Sequence, residues 1–421
     1  MLGGLLEASH LMPWTDLPAQ VAAHAGPAGL HDVTIYLCDL QEDVLRLLAG
    51  SGPDDGPDDA HGSGTDAGRG EKGGDLQVAT TVAGRAFQLG QLLPITPAGQ
   101  SRVAWWVPLL DGTERLGVLR VSTAADDEAT RRALKELASL VALLVVSKRS
   151  SSDAHARLVR TRRMNVAAEM QWHLMPATTY ADPRVVISAV LEPAYQLGGD
   201  AFDYALTDDI VHLGIFDAMG HDTSAGITAN LAVAACRNNR RQGFGLADTS
   251  IAIEKTLLAE FDRQRYVTAI LAQLDTRTGC LTWVNRGHHP PVVIRGGRWT
   301  SRLQCQPAHP MGTDLGLHPV LCREQLEPGD RLVLYTDGIT EARNKDGLEF
   351  GLDGFIDFLI RHHSDGLPVP ETLRRLIRAI LNHHDGRLAD DATVVVAEWL
   401  GPEGGRSQAE DRAGLPRRHV T

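Results

Sequence analysis

The sequence predicts an α+β protein of two domains. Three observations carry that prediction. At 421 residues the chain exceeds one ordinary domain. Between Val185 and Trp399, short apolar segments read as antiparallel strands with helices inserted between groups. Before Ser147, strand signals come in pairs joined by turn residues, and a polar, arginine-bearing stretch separates them from the second region. An apolar fraction of 43% with 22% charged residues is enough to fill two cores.

Taken in order, residues 1–28 form an N-terminal segment and residues 29–148 the first domain. Val33–Leu37 is a strand rich in β-branched and aromatic residues, and Val44–Leu48 is its hairpin partner. Residues 51–75 are crowded with Gly, Asp, Pro and Ser, which predicts a disordered insertion unable to offset its ordering entropy. Val103–Leu110 and Leu116–Val121 form a second hairpin around Asp111-Gly112, and a helix runs from Asp127 to Lys148. Residues 149–176 are expected to be a linker, with one exposed helix from Asp153 to Leu174 that Pro176 stops.

The second domain, residues 177–400, holds strands at Val185–Leu191, Ile210–Phe216, Val267–Leu274, Leu281–Val284, Val292–Arg295, Leu332–Tyr335 and Thr393–Trp399. Thr276–Gly279 is a hairpin loop. Two helices interrupt the strands: Ser224–Arg241, with Gly243 at its end, and one carrying Leu373, Leu376, Ile377 and Ile380 at helical spacing. Residues 401–421 are polar and Gly-rich and are expected to be a disordered tail.

A formal charge of -12 argues against nucleic acid or an anionic membrane as the main partner. The basic residues around Arg157–Arg163 read as a solvated helix face. The five cysteines are scattered and never form C-x-x-C, which predicts reduced thiols and no zinc site. Met1–Leu6 has no basic n-region, and the apolar stretch Leu137–Val146 is too short to span a bilayer; a cytoplasmic protein is expected.

The chemistry concentrates in four acidic motifs: Gly198-Gly199-Asp200, Asp217-Ala218-Met219-Gly220-His221, Thr336-Asp337-Gly338 and Asp390-Asp391-Ala392-Thr393. Each lies at the end of, or just before, an apolar run read as a strand. Small flanking residues leave the acids uncovered. Four carboxylates brought to one place repel one another unless cations neutralise them, and their oxygens suit Mg²⁺ or Mn²⁺ rather than zinc. Alone, each motif is an ordinary turn or surface feature; the ordered set is what points to a site.

That ordered set resembles the PPM-type metal-dependent serine/threonine phosphatases, in particular the SpoIIE/RsbU-like group that controls sigma-factor partner switching. Ala168–Pro176 before the domain and Asn285–Pro291 within it agree with the resemblance. The likeness implies an α-β-β-α sandwich of two antiparallel sheets and two Mn²⁺ or Mg²⁺ ions. It implies that Asp217 bridges both ions with the Ala218 carbonyl completing one shell, that Asp200 acts in the same site directly or through water, and that Asp337 and Asp390 hold the second ion, with Asp391 able to exchange roles with Asp390. An activated water would attack phosphorus in line, with no covalent enzyme intermediate; no Cys-x5-Arg loop is present. His221, His288 and His289 are candidate proton donors, His221 foremost, with loop packing as the plainer role for all three. Asp222 stands where many members carry Gly, and either perturbs the site or favours a helix N-terminus. Arg286 replaces a small residue and reads as a loop arginine in water, with steering of a phosphate as its functional alternative.

The first domain, through Asp111–Leu119, resembles a GAF domain, which implies a sensor or scaffold and a homodimer through this domain and the linker helix. The family substrate implied is a phosphorylated STAS-type anti-anti-sigma factor. The alternative from another class is a catalytically silent phosphatase-fold binding module. Gly198–Phe202 also invites the GGDEF reading of diguanylate cyclases, but Ala201 stands where that motif needs an acid, and Asp337 and Asp390 would go unexplained.

Overall fold

In the computed structural model, which describes residues 1–50, 74–95, 102–196, 198–364, 366–383, 388 and 390–415, the chain divides into Met1–Thr161 and Arg162–Thr421. In the first unit α1 (Leu2–Ala8) and α2 (Leu17–Ala25) precede β1 (His31–Cys38) and β2 (Val44–Leu47). There follow β3 (Leu76–Gln77), α3 (Val82–Leu89), β4 (Leu93–Ile95), β5 (Val103–Asp111), β6 (Glu114–Thr123), α4 (Glu128–Arg149) and α5 (Asp153–Val159). The strands form one six-stranded sheet in the order β3-β2-β1-β6-β5-β4. Both predicted hairpins are present and antiparallel, and Gly112 turns the second with φ +57°. Asp127 caps α4 by accepting from the Thr130 N–H at 2.8 Å, and the helix buries Leu134, Leu137, Ala138, Val141 and Val145 on one sheet face.

The first 28 residues are not a separate segment. Leu5, Trp14, Leu17 and Val21 are buried in the same core as α4, because the sheet face offers more apolar surface than one helix covers. The predicted single linker helix is also corrected. Its residues form α5 and, in the second unit, α6 (Val166–Leu174), with non-helical backbone from Arg160 to Asn165. Val159 anchors α5 in the first core, and Asn165 caps α6 by accepting from the Ala168 N–H at 2.7 Å. The predicted insertion 51–75 falls on residues 51–73, outside the described residues; Asp75, just after them, pairs with Arg46.

In the second unit α6 leads to β7 (Thr179–Ala181), β8 (Val185–Glu192), β9 (Asp200–Thr207), β10 (Ile210–Ala218), α7 (Thr223–Arg241) and α8 (Leu246–Phe261). Then come β11 (Val267–Asp275), β12 (Cys280–Arg286), β13 (Val292–Arg295), β14 (Trp299–Arg302), β15 (Cys322–Gln325) and β16 (Arg331–Tyr335). The unit ends with α9 (Asp337–Thr340), α10 (Gly351–Ser364), α11 (Val369–His383), β17 (Ala392–Trp399) and α12 (Arg406–Ala413). Two antiparallel sheets result, β15-β12-β11-β10-β9 and β14-β13-β16-β17-β8-β7. Val211, Leu213, Ile215, Ile270, Ile187, Leu332, Leu334, Val395 and Ala397 fill the space between them. The outer face of the first sheet packs α7 and α8 through Phe216, Ala229, Val233, Ile253 and Leu257. The outer face of the second packs α10 and α11 through Tyr335, Phe355, Leu373, Leu376 and Val394. The layers run helix, sheet, sheet, helix, the arrangement that the family resemblance implied.

Three further expectations fail here. The unit holds more helices than the two predicted: α8 buries Thr249, Ser250 and Glu254 and so lacks a clean apolar stripe, whereas α10 carries Leu352, Phe355, Ile356 and Leu359 at helical spacing, a signal the sequence reading passed over. The polar tail is not wholly without structure, since α12 buries Ala409 and Ala413 and Arg412 reaches Glu398 at 3.0 Å. The thiols are not all free, because Cys305 and Cys322 form a disulfide. No described helix is long and apolar enough to cross a membrane.

Candidate active site

Strand alternation builds the site. Side chains two apart share a face, so Asp200 points with Phe202, Asp217 with Leu213 and Ile215, Thr336 with Leu334, and Thr393 with Val395. All four face the space between the sheets at one end, where the apolar filling stops. Asp217 lies opposite Asp200 on β9 and opposite Thr268 on β11. Asp337 opens α9 directly after β16, and Asp390 lies just before β17.

Glycines permit this convergence. A Cβ on Gly199 would sit 2.2 Å from the Ala218 carbonyl oxygen, and one on Gly198 would sit 2.9 Å from the Asp391 carboxylate. A Cβ on Gly338 would overlap the Asp391 carbonyl oxygen at 1.9 Å. Backbone from all four motifs is thus in direct contact, and larger residues would push them apart. On α6, Gln171 is fully buried and donates from Nε2 to the carbonyls of Gly198 (3.0 Å) and Asp200 (2.8 Å), which fixes the first loop from below.

The acids divide into inner and outer groups. Asp200, 3% exposed, accepts hydrogen bonds from the hydroxyls of Thr336 (2.6 Å) and Thr393 (2.7 Å). Asp391, 4% exposed, accepts from the N–H of Gly198 (2.7 Å) and of Asp200 (3.3 Å). Asp390 is exposed and accepts the Asp391 N–H at 2.9 Å, while Asp217 and Asp337 are half-buried at the rim. Asp391 therefore ties two motifs together, and Asp390 faces outward.

Burial, then repulsion from Asp217 and Asp391, raises Asp200 well above the usual carboxylate range. Burial, then Asp337, Asp390 and Asp391, pushes Asp217 up to about 7. Burial likewise raises Asp391 to about 6, against the backbone hydrogen bonds that oppose it. The charged groups acting on Asp217 are all acids, which is the electrostatic signature of a place for cations.

The donor set is all oxygen, which suits Mg²⁺ or Mn²⁺, and a dication would reverse the repulsion that raises Asp217. Among the described residues, no three His, Cys, Asp or Glu side chains converge closely enough to form a ready-made ligand cluster. The site fits such ions in chemistry and charge, without a preset shell.

His288 is buried and held between strands. Its Nε2–H donates to the Tyr335 carbonyl at 3.0 Å, and Nδ1 accepts from the Thr268 hydroxyl at 2.7 Å. Burial lowers it to about 3, so it stays neutral and serves as a packing residue. His289 is exposed and stacks on Tyr335. His221 is exposed in the turn between β10 and α7, and its ring makes no hydrogen bond among the described residues. Asp222 caps α7, accepting the Ala225 N–H at 2.8 Å, and lies 3.6 Å from Arg265.

Arg286 corrects the sequence reading most sharply. It is fully buried under α8 rather than solvated in a loop, pairs with Glu254, and lies 3.4 Å from His309. Sequence reasoning overlooked Thr268 and gave no role to Gln171, Thr336 and Thr393, although it quoted the motifs that contain them. The two last were findable, since each occupies the next inward position of a strand already recognised.

The family model described as "Stage II sporulation protein E (SpoIIE)" matches residues 207–400. That span includes Asp217, Asp337, Asp390 and Asp391. The chain is similar to "Phosphoserine phosphatase RsbU" of Bacillus subtilis, 23% identical over 233 residues, covering 55% of this chain and 69% of that protein. It is also similar to "Phosphoserine phosphatase RsbP" of the same organism, 24% identical over 248 residues, covering 58% of this chain and 59% of that one. Among solved structures, the RsbU and RsbW domains of Rv1364c from Mycobacterium tuberculosis align with a TM-score of 0.48 at 22% identity, over 54% of this chain and 64% of that chain.

Proposed function

Because its C-terminal unit is a member of the PPM/SpoIIE–RsbU-like phosphatase superfamily, we propose that this protein is a metal-dependent protein serine/threonine phosphatase acting on a STAS-type anti-anti-sigma factor. The observation that carries the reading is that Asp200 and Asp217 lie opposite one another at the end of the space between the sheets, with Asp391 accepting the N–H groups of Gly198 and Asp200 beside them. Asp217, the Ala218 carbonyl, Asp200, Asp337 and Asp390 are the residues to hold two Mn²⁺ or Mg²⁺ ions, which would supply charge neutralisation at phosphorus and an activated water. Asp390 is the ligand of its pair because it faces outward, whereas Asp391 is engaged by Gly198 and Asp200. Both threonine hydroxyls donate to Oδ2 of Asp200, which orients the carboxylate and makes Oδ1 the oxygen to meet an ion. His221, exposed beside the Asp217 turn, is the group to protonate the leaving seryl oxygen. The N-terminal unit is proposed to be a GAF-like sensor whose input sets the activity of the second unit, in a cytoplasmic protein.

The test is phosphate release from p-nitrophenyl phosphate and from a phosphoserine STAS protein, with and without Mn²⁺, beside calorimetric Mn²⁺ binding. Mn²⁺-dependent turnover and binding, both lost in Asp337→Ala, are the expected result. Wild-type turnover in Asp337→Ala overturns the ligand assignment. Phosphoserine-protein binding with no turnover under any metal moves the reading to a silent binding module.

A further inference from the structure

Four arginines are buried among the described residues: Arg115, Arg286, Arg331 and Arg374. Three of them meet a buried glutamate. Arg286 pairs with Glu254, Arg331 with Glu398 at 2.8 Å, and Arg374 with Glu371 at 2.7 Å. Arg115, in the first unit and 8% exposed, is the exception. Its Nε, Nη1 and Nη2 are all shut from water, and none has a hydrogen-bond partner among the described residues. The side chain cannot relieve this by losing its proton, because a guanidinium stays charged at any ordinary pH. A buried charge without a partner is costly, and an opposite charge brought from outside the chain removes that cost.

The backbone around Arg115 is irregular in a way that suits a site. β1 and β6 are the two middle strands of the sheet, and they pair only as far as Leu37 opposite Gly117. Beyond that point β1 continues with β2, through Cys38 opposite Leu45, and β6 continues with β5, through Arg115 opposite Leu110. The middle of the sheet thus stops pairing where Arg115 lies. At the same place Gly117 faces Leu109 and Arg115 faces Leu110, which leaves Leu116 as an extra residue. Such a bulge re-aims the side chain beside it and interrupts the ladder. The neighbouring acids are engaged elsewhere. Both oxygens of Glu114 are held by Arg149, at 2.6 and 3.0 Å. Asp39, just past β1, accepts the N–H groups of Asp43 and Val44 at 2.7 and 2.9 Å.

We propose that Arg115 anchors a binding site in the first unit for a small oxyanion, the carboxylate or phosphate group of a small molecule. A planar fork of N–H donors matches two oxygens of either group. Burial strengthens the contact, since little water competes for the donors. It also limits the size of the ligand, because nitrogens shut from water lie out of reach of a macromolecular surface. The inference does not depend on the phosphatase reading. It gives the sensor role proposed for this unit a ligand of defined charge and geometry.

The experiment titrates the metal-stripped full chain by calorimetry with inorganic phosphate and, separately, with acetate, each up to about 10 mM. Without metal the acid site carries only like charges and repels both probes. The expected result is binding of one probe or both at a single site per chain, weakened at least about 10-fold in Arg115→Met. Acetate alone assigns a carboxylate ligand, phosphate alone a phosphate ester, and both together a fork that reads charge. Arg115→Lys, which keeps the charge but loses the planar fork, should bind with an affinity between the two. In the absence of either probe Arg115→Met should melt no lower than wild type, because no internal partner is lost. Failure of the wild type to bind either probe overturns the site, as does wild-type affinity in Arg115→Met. A large fall in Tm for Arg115→Met without any probe also overturns it, by showing that the guanidinium is already satisfied within the chain.

Discussion

The middle and the end of the space between the two sheets are made by the same strands and differ by one step of alternation. In the middle, Ile215, Leu334 and Val395 are buried among apolar neighbours. At the end, the next inward positions are Asp217, Thr336 and Thr393. The apolar middle contributes stability; the polar end spends some of it to keep carboxylates close together. A core and an active site can therefore share one framework, and the position along each strand decides which is built.

Substitutions at neighbouring inward positions separate the two. Asp217→Asn removes charge and little volume, so Mn²⁺-dependent turnover is expected to fall at least about 100-fold. The metal-free protein should melt no lower than wild type, because a repelled acid is gone. Ile215→Ala, two residues away and fully buried, is expected to cost about 2–5 kcal/mol in urea unfolding. Near-normal turnover in Asp217→Asn, or a large stability loss from it, would erase the distinction between site and core.

How far this contrast was legible beforehand depends on what each residue faces. Strand positions and the four acids could be read from apolar alternation ending in small residues, the first hairpin of the first unit from β-branched and aromatic composition, and the second from its Asp111-Gly112 turn. Thr336 and Thr393 sat on the same pattern but look like ordinary strand threonines until Asp200 is brought from another sheet. The environment of Arg286 was not legible, since its partner Glu254 lies on a helix whose buried face carries Thr249 and Ser250. Nor was the Cys305–Cys322 pairing, because spacing alone does not tell a loop that returns on itself from one that does not. The break between α5 and α6 was hidden because polar residues alone do not separate an exposed helix from two helices that each bury one side.

Acidity sharpens the comparison at a smaller scale. A carboxylic acid whose folded value is raised binds its proton more tightly in the folded chain. Its destabilising effect is absent below its unfolded value and complete above its folded one. Asp217, raised to about 7, and Asp391, raised to about 6, should therefore make the metal-free protein lose stability as pH rises from about 4 to about 7. Mn²⁺ binds the ionised form, so the rise in Tm it causes should be larger at pH 8 than at pH 5. An equal Mn²⁺ shift at both values would place the ion away from these acids.

The smallest effect belongs to Asp222, an acid at this end that caps a helix. Its carboxylate accepts the Ala225 N–H and lies near Arg265, and that backbone hydrogen bond is the main reason it is held below the usual carboxylate range. A side chain engaged with the first turn of α7 does not join the repulsion among Asp217, Asp337 and Asp390. Asp222→Ala should consequently lower Tm by less than Ile215→Ala does, through loss of a helix cap. Mn²⁺-dependent turnover should stay within about twofold of wild type, since capping energy of this size leaves the fold intact. A collapse in turnover with an unchanged Tm would mean that this carboxylate turns inward when ions bind. The boundary between cap and site would then lie one residue closer to the helix than the structure draws it.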